Sequence, residues 1–519
     1  MDTATALIRA PGRPRKMNSQ RRFTRTFLGM VLSAGALFSG LVHAQAFNLQ
    51  PTLQTRMTYS DNIRPSDDDK RSGWLAEVSP GLSGATTGTG RRLDGRFNLV
   101  LRNAGYSSEL GWQGAAPSFQ ANGQYEAVEG LFFIAADGAI RRSNLSPFSG
   151  RASDDFLERS RRNETRSFSL APRLVFSLGS HADVNIQYRQ QWLSGGRGTL
   201  SAQRRGEWTA GLQATPGSGP LYWSVDYERA DTSYSRAGLA DARQESLQAL
   251  VGYDLTPQVT IAALTGYEQN NFRGVKNDGV FIGGGVEWRP SMRTRISARV
   301  IDRDYANDYE LVFSHRLARS ALQLVLARDL SSSVQLFGSV FQDDDFLDLF
   351  NSPIYQEEFP DPIEREQAIR ERFGFTGGGF VTNAYFLDRR VRASYSLLGV
   401  RNTLTFGYTQ SDRSRVGDTS GLLDEDLFRD SSRVKNKSLS VLLSHRLSGR
   451  SAINTSLVRS VAERSGGLHD RTRRLTASLG YSARLGHRTV GGLTYRHQKS
   501  SGARDFTENV ISANMNMRF

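Results

Sequence analysis

Side chains with the means to do chemistry are thinly spread along this sequence. Past residue 44 there are six histidines, at 181, 315, 445, 469, 487 and 497, and the whole chain has no cysteine. Lack of cysteine removes disulfide frameworks, thiolate metal sites, thiol nucleophiles and the lipidated Cys of a lipoprotein. His469 is followed by Asp470, the start of a general-base pair, but no second paired carboxylate and no nucleophile stands near it. The glycine run in "IGGGVEW" (282–288) sits inside an alternating stretch and opens no helix, so it does not read as a phosphate loop. No catalytic, cofactor-binding or metal-ligating set is expected, and the chain reads as a non-enzyme.

Arginine in alternation is what the chain has in abundance. Arg173, Arg189, Arg295, Arg299, Arg446, Arg474, Arg484 and Arg496 each fall on the polar side of an alternating segment, accompanied by Asp183, Asp226, Glu228, Asp254 and Glu268. A row of cations facing water would favour an anionic or sugar-rich solute; the same residues paired with carboxylates would only brace the wall that carries them.

The elements that must position these residues are extended strands. "ISANMNMRF" (511–519) puts Ile511, Ala513, Met515, Met517 and Phe519 on one side and Ser512, Asn514, Asn516 and Arg518 on the other. That is a period of two, one apolar and one polar face. "RLTASLGYSARL" (474–485) and "SLSVLLSHRL" (438–447) repeat it, as do segments around 184–189 and 246–255. Connections alternate between tight ("LGHR", "LSGR", "RPSM", "LTPQ") and long ("KSSGARDFTEN", "AERSGGLHDRTR", "QNNFRGVKNDG"). Short turns on one rim and long loops on the other are the arrangement of an outer-membrane β-barrel. A soluble sandwich has no reason to sort its loops by rim, and a Lys or Arg on a lipid-facing midplane costs roughly 2 to 4 kcal/mol, so the arginine side must face the lumen.

The expected fold is therefore all-β: an antiparallel transmembrane barrel of about 22 strands, within 18 to 24. Among them are segments near 508–519, 472–485, 436–448, 294–303, 258–271, 242–255 and 164–178, and two unusually long ones, 320–342 and 378–398. Met515, Met517 and Phe519 complete a lipid-facing row that is expected to serve as the signal for the outer-membrane barrel assembly machinery.

Composition agrees with this. Mean hydropathy is −0.45 over 519 residues, with 50 Gly, 15 Pro and 10% aromatics. Beyond the N-terminal segment no window approaches the roughly 18 uninterrupted apolar residues of a spanning helix. That segment reads as a cleaved signal peptide, residues 1–44: Arg21, Arg22 and Arg25 precede "FLGMVLSAGALFSGLV", and Val42-His43-Ala44 suits cleavage. Removing it takes away seven basic residues and one acidic residue, lowering the formal charge from +14 to +8. The remaining basic residues are spread along strands, so nucleic acid is not an expected partner. Residues 45–519 form the barrel, with outer-membrane lipid as their surroundings.

Two segments break the alternation. Residues 343–376 are acidic, with a helix start at Pro362; 411–434, "SDRSRVGDTSGLLDEDLFRDSSRV", is polar with apolar insertions. Each reads either as a lid over the mouth or as a solvated loop.

Thr58 to Asn62, in "MTYSDNIRPSDDDKRSGWLAEVSPGLS", and Glu77 to Gly81 resemble signatures of the outer-membrane barrels associated with PEP-CTERM/exosortase exopolysaccharide systems; "RRVRASYSLLGVRNTLTFGYTQSDR" (389–413) is similar to their C-terminal half. The resemblance implies a barrel acting beside polysaccharide synthesis and export, as conduit or accessory with export components as partners, and supplies no binding residues. A general porin or uptake channel and a structural or adhesive barrel are the alternatives. No energy-coupling box is evident after residue 44, which counts against active uptake.

Overall fold

The computed structural model describes residues 46–87, 92–107, 112–142, 147–148, 164–195, 200–215, 219–236, 238–272, 274–338, 382–424, 426–465 and 470–519. The chain divides into a small unit, Met1–Asn48 with Thr86–Arg91, and a large one, Leu49–Ala85 with Arg92–Phe519. The large unit carries the barrel.

The alternating segments form one sheet of 22 strands. They are β1 (Ala46–Ser60), β2 (Gly73–Thr87), β3 (Leu93–Tyr106), β4 (Trp112–Val128), β5 (Phe132–Arg142), β6 (Glu164–Leu178) and β7 (Ala182–Gly195). Next come β8 (Gln203–Ala214), β9 (Leu221–Tyr234), β10 (Ala242–Thr256), β11 (Val259–Phe272), β12 (Val275–Ser291), β13 (Thr294–Arg303), β14 (Ala306–Arg316) and β15 (Ser320–Ser331). The last seven are β16 (Tyr385–Leu398), β17 (Asn402–Val416), β18 (Arg433–Ser448), β19 (Ser451–Ser465), β20 (Asp470–Arg484), β21 (Thr489–Ser501) and β22 (Phe506–Arg518). Each strand bonds to its chain neighbours, and β1 pairs antiparallel with β22 from Thr52 opposite Arg518 to Ser60 opposite Val510. The sheet is closed and has no edge, as a spanning sheet requires.

The two faces are told apart by contacts that cross the interior. Gln203 Nε2 on β8 donates to Asn383 Oδ1 at 2.8 Å, and Tyr385 Oη donates to Thr232 Oγ1 on β9 at 3.0 Å. Gln203 and Thr232 thus mark the inner face, and the registers carry that face around the ring. The opposite face holds Leu247, Val251 and Leu255 of β10, Leu439 of β18 and Leu479 of β20, each exposed by 51 to 54%. Such a belt suits hydrocarbon and not water. The chain is a barrel of the outer-membrane type.

Two expectations need correction. The long segments 320–342 and 378–398 are not strands throughout: β15 stops at Ser331, a short helix α1 (Ser333–Gly338) follows, and β16 starts at Tyr385. Ser332 Oγ takes the Gln335 N–H and Ser333 Oγ the Thr382 N–H, so serine hydroxyls replace ladder partners at this point. "QNNFRGVKNDG" is not a long loop, because β11 and β12 continue to a tight connection with Phe272 opposite Val275. The acidic segment 343–376 and its expected helix lie outside the described residues.

Candidate functional site in the lumen and its mouth

At the long-loop rim, the described residues of the β17–β18 connection, Gly417–Asp424 and Asp426–Ser432, expose their charged side chains, Asp426 excepted, and turn their apolar ones inward. Leu422, Leu427 and Phe428 bury themselves with Phe386, Val434 and, from the far wall, Leu239 of the β9–β10 connection. Gly421 has φ +75°, and a Cβ there would collide with Gly238 O; only glycine lets the two backbones approach this closely. Asp426 fastens the arrangement. Its carboxylate, 3% exposed, accepts from Thr382 Oγ1 at 2.8 Å, Asn383 N at 2.9 Å and Phe428 N at 3.0 Å. Asn383 in turn meets Gln203, and Tyr385 meets Thr232, so the loop, the start of β16 and the β8–β9 wall form one connected network. Val334 of α1 packs on Leu193 and Leu200 beside β7. Within 411–434, residues 411–416 end β17 and 433–434 begin β18, and Leu422, Leu427 and Phe428 of the described residues between them are buried.

Below the mouth the inner wall is studded with charge, most of it paired. Arg205, fully buried, lies 3.0 Å from Glu207 and 3.8 Å from Glu228. Arg303 pairs with Glu268 and, at 3.0 Å, with Asp308, while its guanidinium lies 4.4 Å over Phe281. Phe281 packs on Leu264 and Ile301 in an apolar patch of the same wall. Beside it, in the β13–β14 turn, burial raises the Tyr305 hydroxyl well above the ordinary phenol range. Farther along, Arg413 meets Asp388 at 3.3 Å and Arg390 meets Asp329 at 2.7 Å.

The register places all eight sequence-selected arginines on this inner face. Arg295 and Arg299 face Glu287 and Glu310 at 3.0 and 3.4 Å, and Arg496 faces Glu508 at 3.7 Å. Arg173 lies 5.0 Å over the Phe133 ring. Arg189 lies opposite Glu207 on β8 and Arg474 opposite Ser500 on β21. Arg446 and Arg484 sit toward the short-turn rim, opposite Ala452 and Val490. They form no single cluster. The wall is a mixed-charge lattice, closer to the bracing reading than to a net basic channel. Yet the side chains of Arg295 and Arg299 remain 56% and 54% exposed although they point inward.

The two N-terminal signatures turn out to be seams. Ser60 Oγ donates to Glu508 at 2.6 Å, Asp61 takes the Asn509 backbone and side-chain N–H groups at 2.7 Å each, and buried Asn62 donates to Ser66 O and Thr507 O. The first strand is thereby clamped to the last. Glu77 lies 3.9 Å from Arg56, and a Cβ on Gly81 would fall 2.5 Å from Thr52 Oγ1, so this motif fits β2 closely against β1. At the other end of the seam Phe519 N donates to Pro51 O at 3.0 Å, Met517 lies opposite Leu53 and Met515 opposite Thr55.

Sequence reasoning missed Asp426, Thr382, Asn383, Gln203 and Arg205. The one available signal was Leu422, Leu427 and Phe428 in an otherwise polar loop, because apolar residues in a connection must be covered by something.

No protein-family profile and no curated protein matches the chain. Solved structures similar to it include the siderophore receptor PirA of Acinetobacter baumannii (8% identity, 91% of this chain and 80% of that one, TM-score 0.44). A mutant of the ferric enterobactin receptor PfeA of Pseudomonas aeruginosa, in complex with enterobactin, aligns at 10% identity over 90% of this chain and 81% of that one, TM-score 0.45. OccK3 (OpdO) of the same organism aligns at 11% over 91% and 96%, TM-score 0.31.

Proposed function

We propose that this barrel is a gated outer-membrane conduit for hydroxyl-rich polymer, serving secretion of extracellular polysaccharide beside a PEP-CTERM/exosortase-type system. The observation that carries the gated part is the mouth: a buried carboxylate fastens an inward-folded loop across a bore too wide for side chains to fill. Among the described residues the closure consists of loop and strand-end segments held by hydrogen bonds and a small apolar cluster, which can part without unfolding the barrel. Two features support a sugar-like cargo: a wall whose Ser, Thr, Gln and paired Arg side chains offer donors and acceptors without a large net charge, and the resemblance of the 58–62 and 77–81 signatures. The role is passage or anchoring without chemistry. Phe519, Met517 and Met515 serve insertion through the barrel assembly machinery, after removal of residues 1–44.

An uptake channel opened by its own small solute fits the same closed mouth. A clean gene deletion separates the two. Secretion predicts loss of polysaccharide from the cell surface with normal growth on all solutes. Normal surface polysaccharide with failed growth on one small solute decides for uptake.

A further inference from the structure

The outer face carries an asymmetry that the conduit does not use. On β6 to β13 the outward charged residues near the long-loop rim are balanced. Arg166 stands with Glu164, and on β9 and β10 Arg229, Asp231 and Arg243 are joined by ion pairs at 3.2 and 2.7 Å. On β15 to β21 they are not. Directly paired positions run Arg328, Arg389, Asp412, Lys435, Glu463, Arg471 across six adjacent strands, all on the outer face. One step toward the membrane on the same face are Lys437 and Arg473, both opposite Val461; one further step brings Arg459 and Lys499, both opposite Leu475.

The two carboxylates described in this field are already engaged. Asp412 holds Arg433, and Glu463 holds Arg471 at 2.9 Å. Lys437, Arg459, Arg473 and Lys499 are exposed and have no ion pair among the described residues. Arg328 Nε is buried without a hydrogen-bond partner. At the rim between β18, β19 and β20 the surface opens into a cleft of about 410 Å³ lined by outward Arg433, Lys435, Glu463 and Arg471 and by inward Arg464 and Asp470.

What lies below these cations decides the occupant. On β18, Lys435 and Lys437 are followed on the same face by Leu439, Val441 and Leu443; on β20, Arg471 and Arg473 are followed by Leu475 and Leu479. Whatever presents anions to the cations also presents hydrocarbon to the leucines. A free anion or a soluble polysaccharide would meet only the upper half. Cations also cluster naturally where an anionic headgroup layer meets protein, and phosphate oxygens suit Arg and Lys donors.

We propose that the outer face of β15–β21 is a binding surface for a phosphorylated, acylated lipid of the outer leaflet, with phosphates on Lys437, Arg459, Arg473 and Lys499 and acyl chains on the leucine belt beneath. The barrel is thereby held in one orientation toward its lipid, with its mixed-charge side left to neutral headgroups.

The test uses the full-length barrel in detergent, probed by native mass spectrometry and by titration with bis-phosphorylated lipid A, the same lipid with its phosphates removed, and inorganic phosphate. The proposal expects phosphorylated lipid A to bind more than tenfold more tightly than the dephosphorylated form, with affinity falling as salt is raised. The quadruple variant K437Q/R459Q/R473Q/K499Q should lose more than tenfold, whereas R229Q/R243Q on the balanced side should lose little. Because four substitutions can impair folding, K437Q/R459Q is measured as well and should show an intermediate loss, with heat-modifiable gel mobility verifying a closed barrel. Equal binding of the two lipids, equal binding by the folded K437Q/R459Q variant, or full displacement of lipid A by an equimolar concentration of inorganic phosphate each overturns the assignment.

Discussion

Replacing Asp426 with alanine should open the barrel. In the closed mouth its carboxylate satisfies the Thr382 hydroxyl and the Asn383 and Phe428 backbone N–H groups, all in a buried setting. A buried donor left without a partner costs roughly 1 to 3 kcal/mol; with some water entering, three such donors amount to about 3 to 6 kcal/mol. At about 1.4 kcal/mol per tenfold, that shifts the closed-to-open ratio by two to four orders of magnitude. The strands are hardly touched, because Asp426 lies in the connection between β17 and β18 and makes no ladder bond. Planar-bilayer recording is the assay. Wild type should be silent or flicker briefly, D426A should dwell in a high-conductance state, and D426N, which keeps one acceptor oxygen, should fall between. If D426A forms a heat-resistant barrel in the gel and conducts like wild type, the carboxylate is not the latch and the gating argument fails.

The facing of the wall can be read chemically, since the chain has no native cysteine. A single Cys at Arg299 should react with a small water-soluble reagent through the lumen, whereas Cys at the neighbouring Val300 should be shielded by lipid; equal labelling would refute the register. The seam should depend on Asn62, whose amide donates to Ser66 O at 2.7 Å and Thr507 O at 3.0 Å while its side chain is fully buried. Asn62→Ala should destabilise the barrel by about 2 to 3 kcal/mol, seen as a lower temperature of mobility change in heated gels, with an unchanged transition counting against the clamp.

The barrel itself was legible because a closed sheet in lipid imposes its period on every strand. β13 and β6 have the same limits, 294–303 and 164–178, as the segments read from alternation, and Arg295 and Arg299 fall on the face that alternation assigned. What could not be read is long-range and local at once. The stop of β15 at Ser331 depends on serine hydroxyls competing with ladder partners, which alternation in "SVQLFGSV" conceals. The mouth depends on pairings between residues far apart in sequence, such as Gln203 with Asn383 and Thr232 with Tyr385, and no local pattern announces them. Charge was visible but not its pairing: Arg303 with Glu268, or Arg496 with Glu508, follow only from register. The 58–62 signature was visible as a motif, while its role as a clamp between first and last strands required the closed ring.

The central claim, a wide polar conduit shut by a removable lid, is tested most directly by efflux. Vesicles containing the purified barrel are loaded with a fluorescent oligosaccharide, and release is compared for wild type and for a chain in which Gly417–Ser432 is replaced by a short Gly-Ser turn. The account predicts retention by wild type and rapid release through the lidless barrel, with no release from vesicles without protein. Retention by a lidless barrel that is folded and inserted would contradict it.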